Sequence, residues 1–295
     1  MILDISLPWS RLYSLELGSL PLAPDVVLVL MHYTATSLCQ ALFYVDFEDP
    51  ATGSITSTHR PLMDPPAVRM KRLKTLGVIL GGRGPDIGFF DRVRAPQLQN
   101  LRIVEMMNPN IEGWNLDILS PLMASCSRKL EMLELVDSPA FATVRTSAPQ
   151  RRQVTHPELE TLLDSVPNLK TLRLPRTIFA HSVTLGKLAD GRLLPSVKVL
   201  EMTASSPTNA EDFLFMLTMR VQVAEAARRG IGTSSGSRGG GIDRWLEEEA
   251  GYVELITDIV LHMTLAQKSV FVKDVVPKYF PHLGAVRIHV KAFHL

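Results

Sequence analysis

Apolar residues recur along this chain as L-x-x-L-x-L triads. The first is Leu12, Leu15 and Leu17 in RLYSLEL. Leu73, Leu76 and Val78 repeat it, as do Leu98, Leu101 and Ile103, and then Leu130, Leu133 and Leu135. Leu169, Leu172 and Leu174 follow, then Val197, Leu200 and Met202, and finally Leu283, Val286 and Ile288. Leu38, Ala41 and Phe43 form a weaker member between the first two. About one all-leucine triad is expected by chance at this leucine content, and three of these eight triads are all-leucine. Anchors two apart point to one face of a strand, and the residues between them to the other. The outward set is polar: Glu16, Arg102, Glu134, Arg173, Glu201 and Arg287.

Four of the eight triads carry a proline two residues before the first anchor: Pro96, Pro167, Pro195 and Pro281. Proline ends a preceding helix and pushes the residue before it toward extended backbone, which predicts a helix-to-strand junction there. Helix-like stretches lie between the teeth: DPPAVRM, DIGFFDRVRAP, NLDILSPLMASCSRKL, HPELETLLDSVPN and SVTLGKLADGRLLP, several opening with Asp, Asn or Ser as caps. Strand and helix alternating at this spacing imply parallel strands.

Intervals between first anchors are 26, 35, 25, 32, 39, 28 and 86 residues. The shorter ones match a leucine-rich repeat of the longer kind, and the others require insertions. The Asn or Cys of the full motif is replaced by Leu20, Gly81, Met106, Ser138 and Thr177, so an irregular winding is expected. The last interval breaks the rhythm. PTNAEDFLFMLTMRVQVAEAARRG predicts a helix capped at Thr208 or Asn209 and ending at Gly230. GIGTSSGSRGGG predicts a flexible linker, and DRWLEEEAGYVELITDIVLHM a second helix; one repeat could be hidden or degenerate between 203 and 282. EDPATGSITSTHRPLMDPP and DSPAFATVRTSAPQRRQ read as further mobile loops. The expected fold is α/β, one domain over 1–295, an irregular leucine-rich-repeat solenoid. Its parallel strands line the concave side and its helices the convex side, with a flexible Gly/Ser-rich insertion at about 230–241.

The phrases LPWSRLYSLELGSL, PQLQNLRIVE, PNLKTLRLPR and LLPSVKVLEM resemble the C-terminal repeat region of fungal, mushroom-type F-box proteins. The resemblance spans nearly the whole chain and rests on loose, leucine-based motifs. It implies substrate-receiving repeats of a ubiquitin-ligase receptor. An F-box opens L-P-x-E, whereas here Leu7-Pro8 runs into Trp9-Ser10 and at once into the first triad. A ligase adaptor is therefore an expected partner only if an F-box exists upstream.

Composition narrows the function classes. Apolar residues make up 46% of the 295 and charged residues 21%, which suits a globular core rather than disorder. A net charge of +1 gives no bulk pull toward nucleic acid or anionic membrane, and neither is expected as a partner. Cys39 and Cys126 are too few for a disulfide framework or a four-cysteine zinc site and are expected as buried thiols. With no N-x-S/T sequon, no signal-peptide pattern at MILDISLPWSRL and no long apolar run, the expected location is intracellular, cytoplasmic or nuclear.

Candidate chemistry is thin. VILGGRGPDIGFF places Gly81, Gly82, Gly84 and Gly88 between a strand and a short helix, the basis of an alternative reading as an α/β nucleotide-binding enzyme. Ile87 stands where the dinucleotide fingerprint requires glycine. Gly232-Thr233-Ser234-Ser235-Gly236 spells G-x-S-x-G but lies in the linker, where no oxyanion hole can be held. His282, His289 and His294 cluster without metal-ligand spacing. The expectation is a non-catalytic interaction module with no cofactor and no metal. Its partner-binding face would carry Arg11, Tyr13, Glu16, Lys74, Gln99, Arg102, Glu131, Glu134, Lys170, Arg173, Lys198, Glu201 and Arg287.

Overall fold

A computed structural model describes residues 7–47, 67–82, 88–106, 114–137, 153–232, 253–283 and 286–293, the side chains of 229–232 and 280 excepted. The expected linker from 233 onward, both long mobile loops, most of the Gly81–Gly88 turn, the G-x-S-x-G serine and His294 lie outside the described residues. Contacts divide the chain into two compact units, Met1–Val154 and Thr155–Leu295.

The first unit contains β1 (Ser14–Leu22), α1 (Pro24–Thr34), β2 (Gln40–Phe47), β3 (Val68–Arg69), β4 (Thr75–Gly82), β5 (Val93–Arg94), β6 (Asn100–Glu105), α2 (Ser120–Cys126) and β7 (Met132–Asp137). Its main sheet runs β1-β2-β4-β6-β7, every pair parallel. Register follows the teeth. Leu15 pairs with Ala41, Ala41 with Leu76, Leu76 with Leu101 and Leu101 with Leu133. Leu17, Phe43, Val78, Ile103 and Leu135 align in the same way. A one-residue slip would turn each apolar row out to water, so burial on one face locks this alignment. The anchors of β2, β4, β6 and β7 are buried, those larger than alanine worth about 1.5–3 kcal/mol each, while those of the edge strand β1 are half-buried. Edge position also explains how β1 accommodates Pro21 and an irregularity between Leu17 and Pro21.

The second unit contains α3 (His156–Asp164), β8 (Thr171–Arg173), α4 (Ser182–Ala189), β9 (Val199–Thr203), α5 (Pro207–Gly232), β10 (Asp258–Thr264), α6 (Leu265–Val270) and β11 (Arg287–Phe293). Its strands lie in the order β8-β9-β10-β11, again all parallel. Leu172 pairs with Leu200, Leu200 with Ile259, and Met202 with Leu261.

The prolines act through a specific turn. Leu98 N–H bonds Ala95 O at 3.0 Å, Leu169 N–H bonds Val166 O at 3.1 Å, and Val197 N–H bonds Leu194 O at 3.2 Å. Each is a four-residue turn with proline second, the position its fixed φ suits. Two teeth without proline use the end of a helix instead. Leu38 N–H reaches Thr34 O, and Leu130 N–H reaches Cys126 O, each at 3.0 Å. Just after the first anchor a second device recurs, one carbonyl accepting two successive amides. Lys74 O takes Gln99 N and Asn100 N, Gln99 O takes Glu131 N and Met132 N, and Lys170 O takes Lys198 N and Val199 N.

Several expectations need correction. Ile256–Met263 is not helix: Asp258–Thr264 is strand β10, and Ile256, Ile259 and Leu261 are the hidden tooth, all buried. The segment satisfies helical spacing as well as the triad, and its β-branched Ile and Val suit a strand with neighbours on both sides. The final triad is out of register by two residues, because Ile288 pairs with Ile259 and Val290 with Leu261. Where helices were expected around 67–70 and 88–96, β3 pairs with β5, preceded by a three-residue turn at Phe90–Arg92. Prolines at 65, 66 and 96 leave those segments too short for a stable helix. The cap of α5 is Ser206, whose Oγ accepts from Asn209 N at 3.0 Å, and the helix ends at Gly232 rather than Gly230. Helices α1 and α6 escape the sequence pattern; α1 because Val26–Met31 is apolar all round. Among the described residues no helix is long and apolar enough to cross a membrane.

Candidate functional site

Anchors occupy one face of each sheet, which leaves the other face to the candidate residues. In the first unit, Glu16, Leu42, Gly77, Arg102 and Glu134 form one row by register. Arg102 Nε lies 3.3 Å from Glu134 Oε2, while exposed Glu16 faces Leu42 instead. Tyr13, Lys74, Gln99 and Glu131 stand one residue before the strands, at the two-amide carbonyls or beside them. Tyr13 and Lys74 are exposed, Gln99 and Glu131 half-buried. Arg11 is exposed in the turn Trp9–Arg11 and does not join a strand row.

Two residues along each strand, this face turns apolar. Tyr44, Ile79, Val104 and Val136 align in register and are half-buried. Glycines shape the surface beside them. A Cβ at Gly77 would meet Leu42 Cδ1 at 2.6 Å, and one at Gly81 would meet Tyr44 Cε2 at 2.3 Å, so Leu42 and Tyr44 lie flat over glycine backbone. Burial, and then Asp46, raise the Tyr44 phenol above its ordinary pKa. The sequence reading named the first outward row and missed this second one, whose signal was present two positions further on.

In the second unit Glu201 is the hub. Its Oε1 lies 2.7 Å from His262 Nε2 and 3.0 Å from Lys291 Nζ, and its Oε2 lies 3.6 Å from Arg173 Nε. Register brings them together: Arg173 pairs with Glu201, and His262 with Lys291. With the carboxylate accepting, the Nε2 proton of His262 is the donated one. The His262 hydrogen bond, opposed by burial and aided by Lys291, holds the Glu201 carboxyl down at about 2. His262 and Lys291 were both missed, His262 because it stood in the expected helix. Arg287 pairs with Asp258 at 2.7 Å and Lys198 with Glu254 at 3.2 Å, while Lys170 is exposed. His289 is exposed on the outer face of β11.

The pKa of Glu201 has a stability consequence. A carboxyl whose folded pKa is depressed contributes stability that is complete above its unfolded value and is lost as pH falls through the folded one. Unfolding midpoints of the second unit should therefore drop between about pH 4.5 and 2. Glu201→Gln should flatten that slope; an identical slope in the variant would refute the hub.

The arrangement offers little for catalysis. Thr203 and His262 face each other across β9 and β10, yet Thr203 Oγ1 and His262 Nδ1 are both buried and not hydrogen-bonded to one another. Nucleophile and base are thus unlinked. Cys39 and Cys126 are buried thiols, and burial pushes Cys126 up to about 12, which leaves it unreactive. Among the described residues no three His, Cys, Asp or Glu side chains gather as a metal site. Gly81 and Gly82 belong to β4 itself, and only the three-residue turn at Phe90 follows Gly88, so the described part of the loop meets no helix N-terminus. Compared with known proteins, the chain matches no family model and no curated protein.

Proposed function

We propose that the chain is a non-catalytic recognition module, each unit a run of leucine-rich-repeat-like coils that presents its outer strand face to a protein partner. What supports this most is the tooth-for-tooth register of parallel strands in chain order, with the same two-amide carbonyl recurring at successive junctions. Such a sheet keeps one face for the core and frees the other. In this reading the repeats correspond to the substrate-receiving half of an F-box receptor, and an adaptor would join only through an F-box upstream.

A photo-crosslinking amino acid at Glu16 or His289 on the outer faces should trap one discrete protein. The same group at Val183 on α4 or Phe215 on α5, exposed by 52% and 56%, should trap none. Equal trapping from both sets sinks the proposal. So does a nucleotide-dependent rise in melting temperature that Gly82→Asp abolishes, which would favour a nucleotide-binding enzyme.

A further inference from the structure

The ion pairs on the outer face of the second unit share an asymmetry. Glu201 is 17% exposed beneath Arg173 at 43% and Lys291 at 56%. Asp258 is 22% exposed against 72% for Arg287, and Glu254 21% against 45% for Lys198. Glu201 and Asp258 sit on β9 and β10, which have neighbours on both sides, so their shorter side chains stay low. The longer stems of lysine and arginine lift their charged heads clear. Among the described side chains of these pairs, the four cations stand above the carboxylates they hold. Exposed Lys170 and His289 extend the same surface.

We propose that the outer face of β8–β11 docks an acidic, extended segment of a partner protein. Its carboxylates would be taken by Arg173, Lys198, Arg287 and Lys291. This rests on the recognition reading above and names the partner's chemistry. Three strand-to-strand steps of about 4.8 Å separate β8 from β11, roughly 14 Å in all, the reach of four or five extended residues. One ion pair does not exhaust a lysine ammonium with three donors, so Lys291 can hold Glu201 and still accept a partner carboxylate. Two other occupants fit less well. A second copy would bring this cationic face against itself, with like charges opposed. A nucleic-acid strand carries a phosphate on every nucleotide and cannot leave Glu201 and Asp258 unopposed, whereas a peptide can leave gaps above them.

The test uses the full chain and three fluorescein-labelled probes of equal length: a peptide alternating Glu with Ser, the same peptide with Gln for Glu, and oligothymidylate. The Glu peptide should bind, at least tenfold tighter than the Gln peptide, and should weaken severalfold between 50 and 200 mM salt. The triple variant Arg173→Gln, Arg287→Gln, Lys291→Gln should bind it at least tenfold more weakly. If that variant melts, Lys291→Gln alone is read, with at least a twofold loss expected. Equal binding of the Gln peptide, tighter binding of oligothymidylate, or unchanged affinity in the variant overturns the proposal. Such a result with the Glu16 and His289 cross-links intact removes the partner chemistry alone; loss of the cross-links removes the recognition role itself.

Discussion

Replacing Arg220 with methionine should destabilise the second unit by about 3–5 kcal/mol, read as a lower urea midpoint. Arg220 is 1% exposed on α5, yet none of its described hydrogen bonds goes to a carboxylate. Its Nε donates to Glu254 O at 2.9 Å, one terminal nitrogen to Leu188 O, and the other to Leu194 O and Pro195 O, both at 2.9 Å. Burial pulls the guanidinium down to about 10, which still leaves it charged at neutral pH. The four carbonyls come from α4, from the turn ahead of β9 and from the segment ahead of β10. One side chain thus ties three segments, from the two connections on either side of β9, to the long helix. That turn includes Leu194, at a φ of 49° that non-glycine residues seldom adopt, so it needs outside support. Methionine fills the volume but leaves buried acceptors without a donor, at about 1–3 kcal/mol each before relaxation. Lysine should recover only a small part, because a point charge cannot reproduce the guanidinium fork. A midpoint unchanged in Arg220→Met would show that water satisfies these carbonyls and that the clamp is incidental.

Arg220 also marks where the sequence stops being readable. Apart from β3, β5 and β10, the strands were legible because each carries a two-anchor signal that burial on one face enforces, and Pro96, Pro167 and Pro195 announce their junctions. Nothing comparable marks an arginine within VAEAARRG and MLTMRVQ as buried, since arginine on a helix ordinarily faces water. Glu201 was legible as an outward residue of its strand. Its contact with His262 was not, because the separation of 61 in sequence spans the long helix and the hidden tooth. The apolar band of Tyr44, Ile79, Val104 and Val136 was within reach of a period-two reading carried one step further. Glycine at 77 and 81 obscured it, having no side chain to count. Of the charged residues on the candidate face, Arg173, Glu201 and Arg287 stood among the outward positions, whereas His262, Lys291 and Asp258 did not, and no pairing among them was legible. The sinking of the acids and the lifting of the bases follow from burial, which only the assembled sheet shows.

The hidden tooth should carry the same mechanical weight as the visible ones. Leu101→Ala and Ile259→Ala should each lower the stability of their own unit by about 2–5 kcal/mol, because both side chains are fully buried and truncation leaves a cavity as well as lost apolar contact. The two are equivalent by register, each the second anchor of a tooth with strands paired on both sides. A helical Ile259 of the kind first expected would face one helix stripe, and its loss would mainly fray that segment. In β10 its loss opens the sheet between Leu200 and Ile288, so amide protection should fall on β9 and β11 together. Val104→Thr, one strand position beyond a tooth and on the half-buried outer face, should cost well under 1.5 kcal/mol and leave exchange on β4 and β7 unchanged. Hydrogen exchange on the three variants separates these outcomes. If Ile259→Ala lost protection only within 253–264, β10 would be an appended strand rather than a member of the repeat. The register from Leu172 to Ile288 would then no longer support coils stacked in chain order.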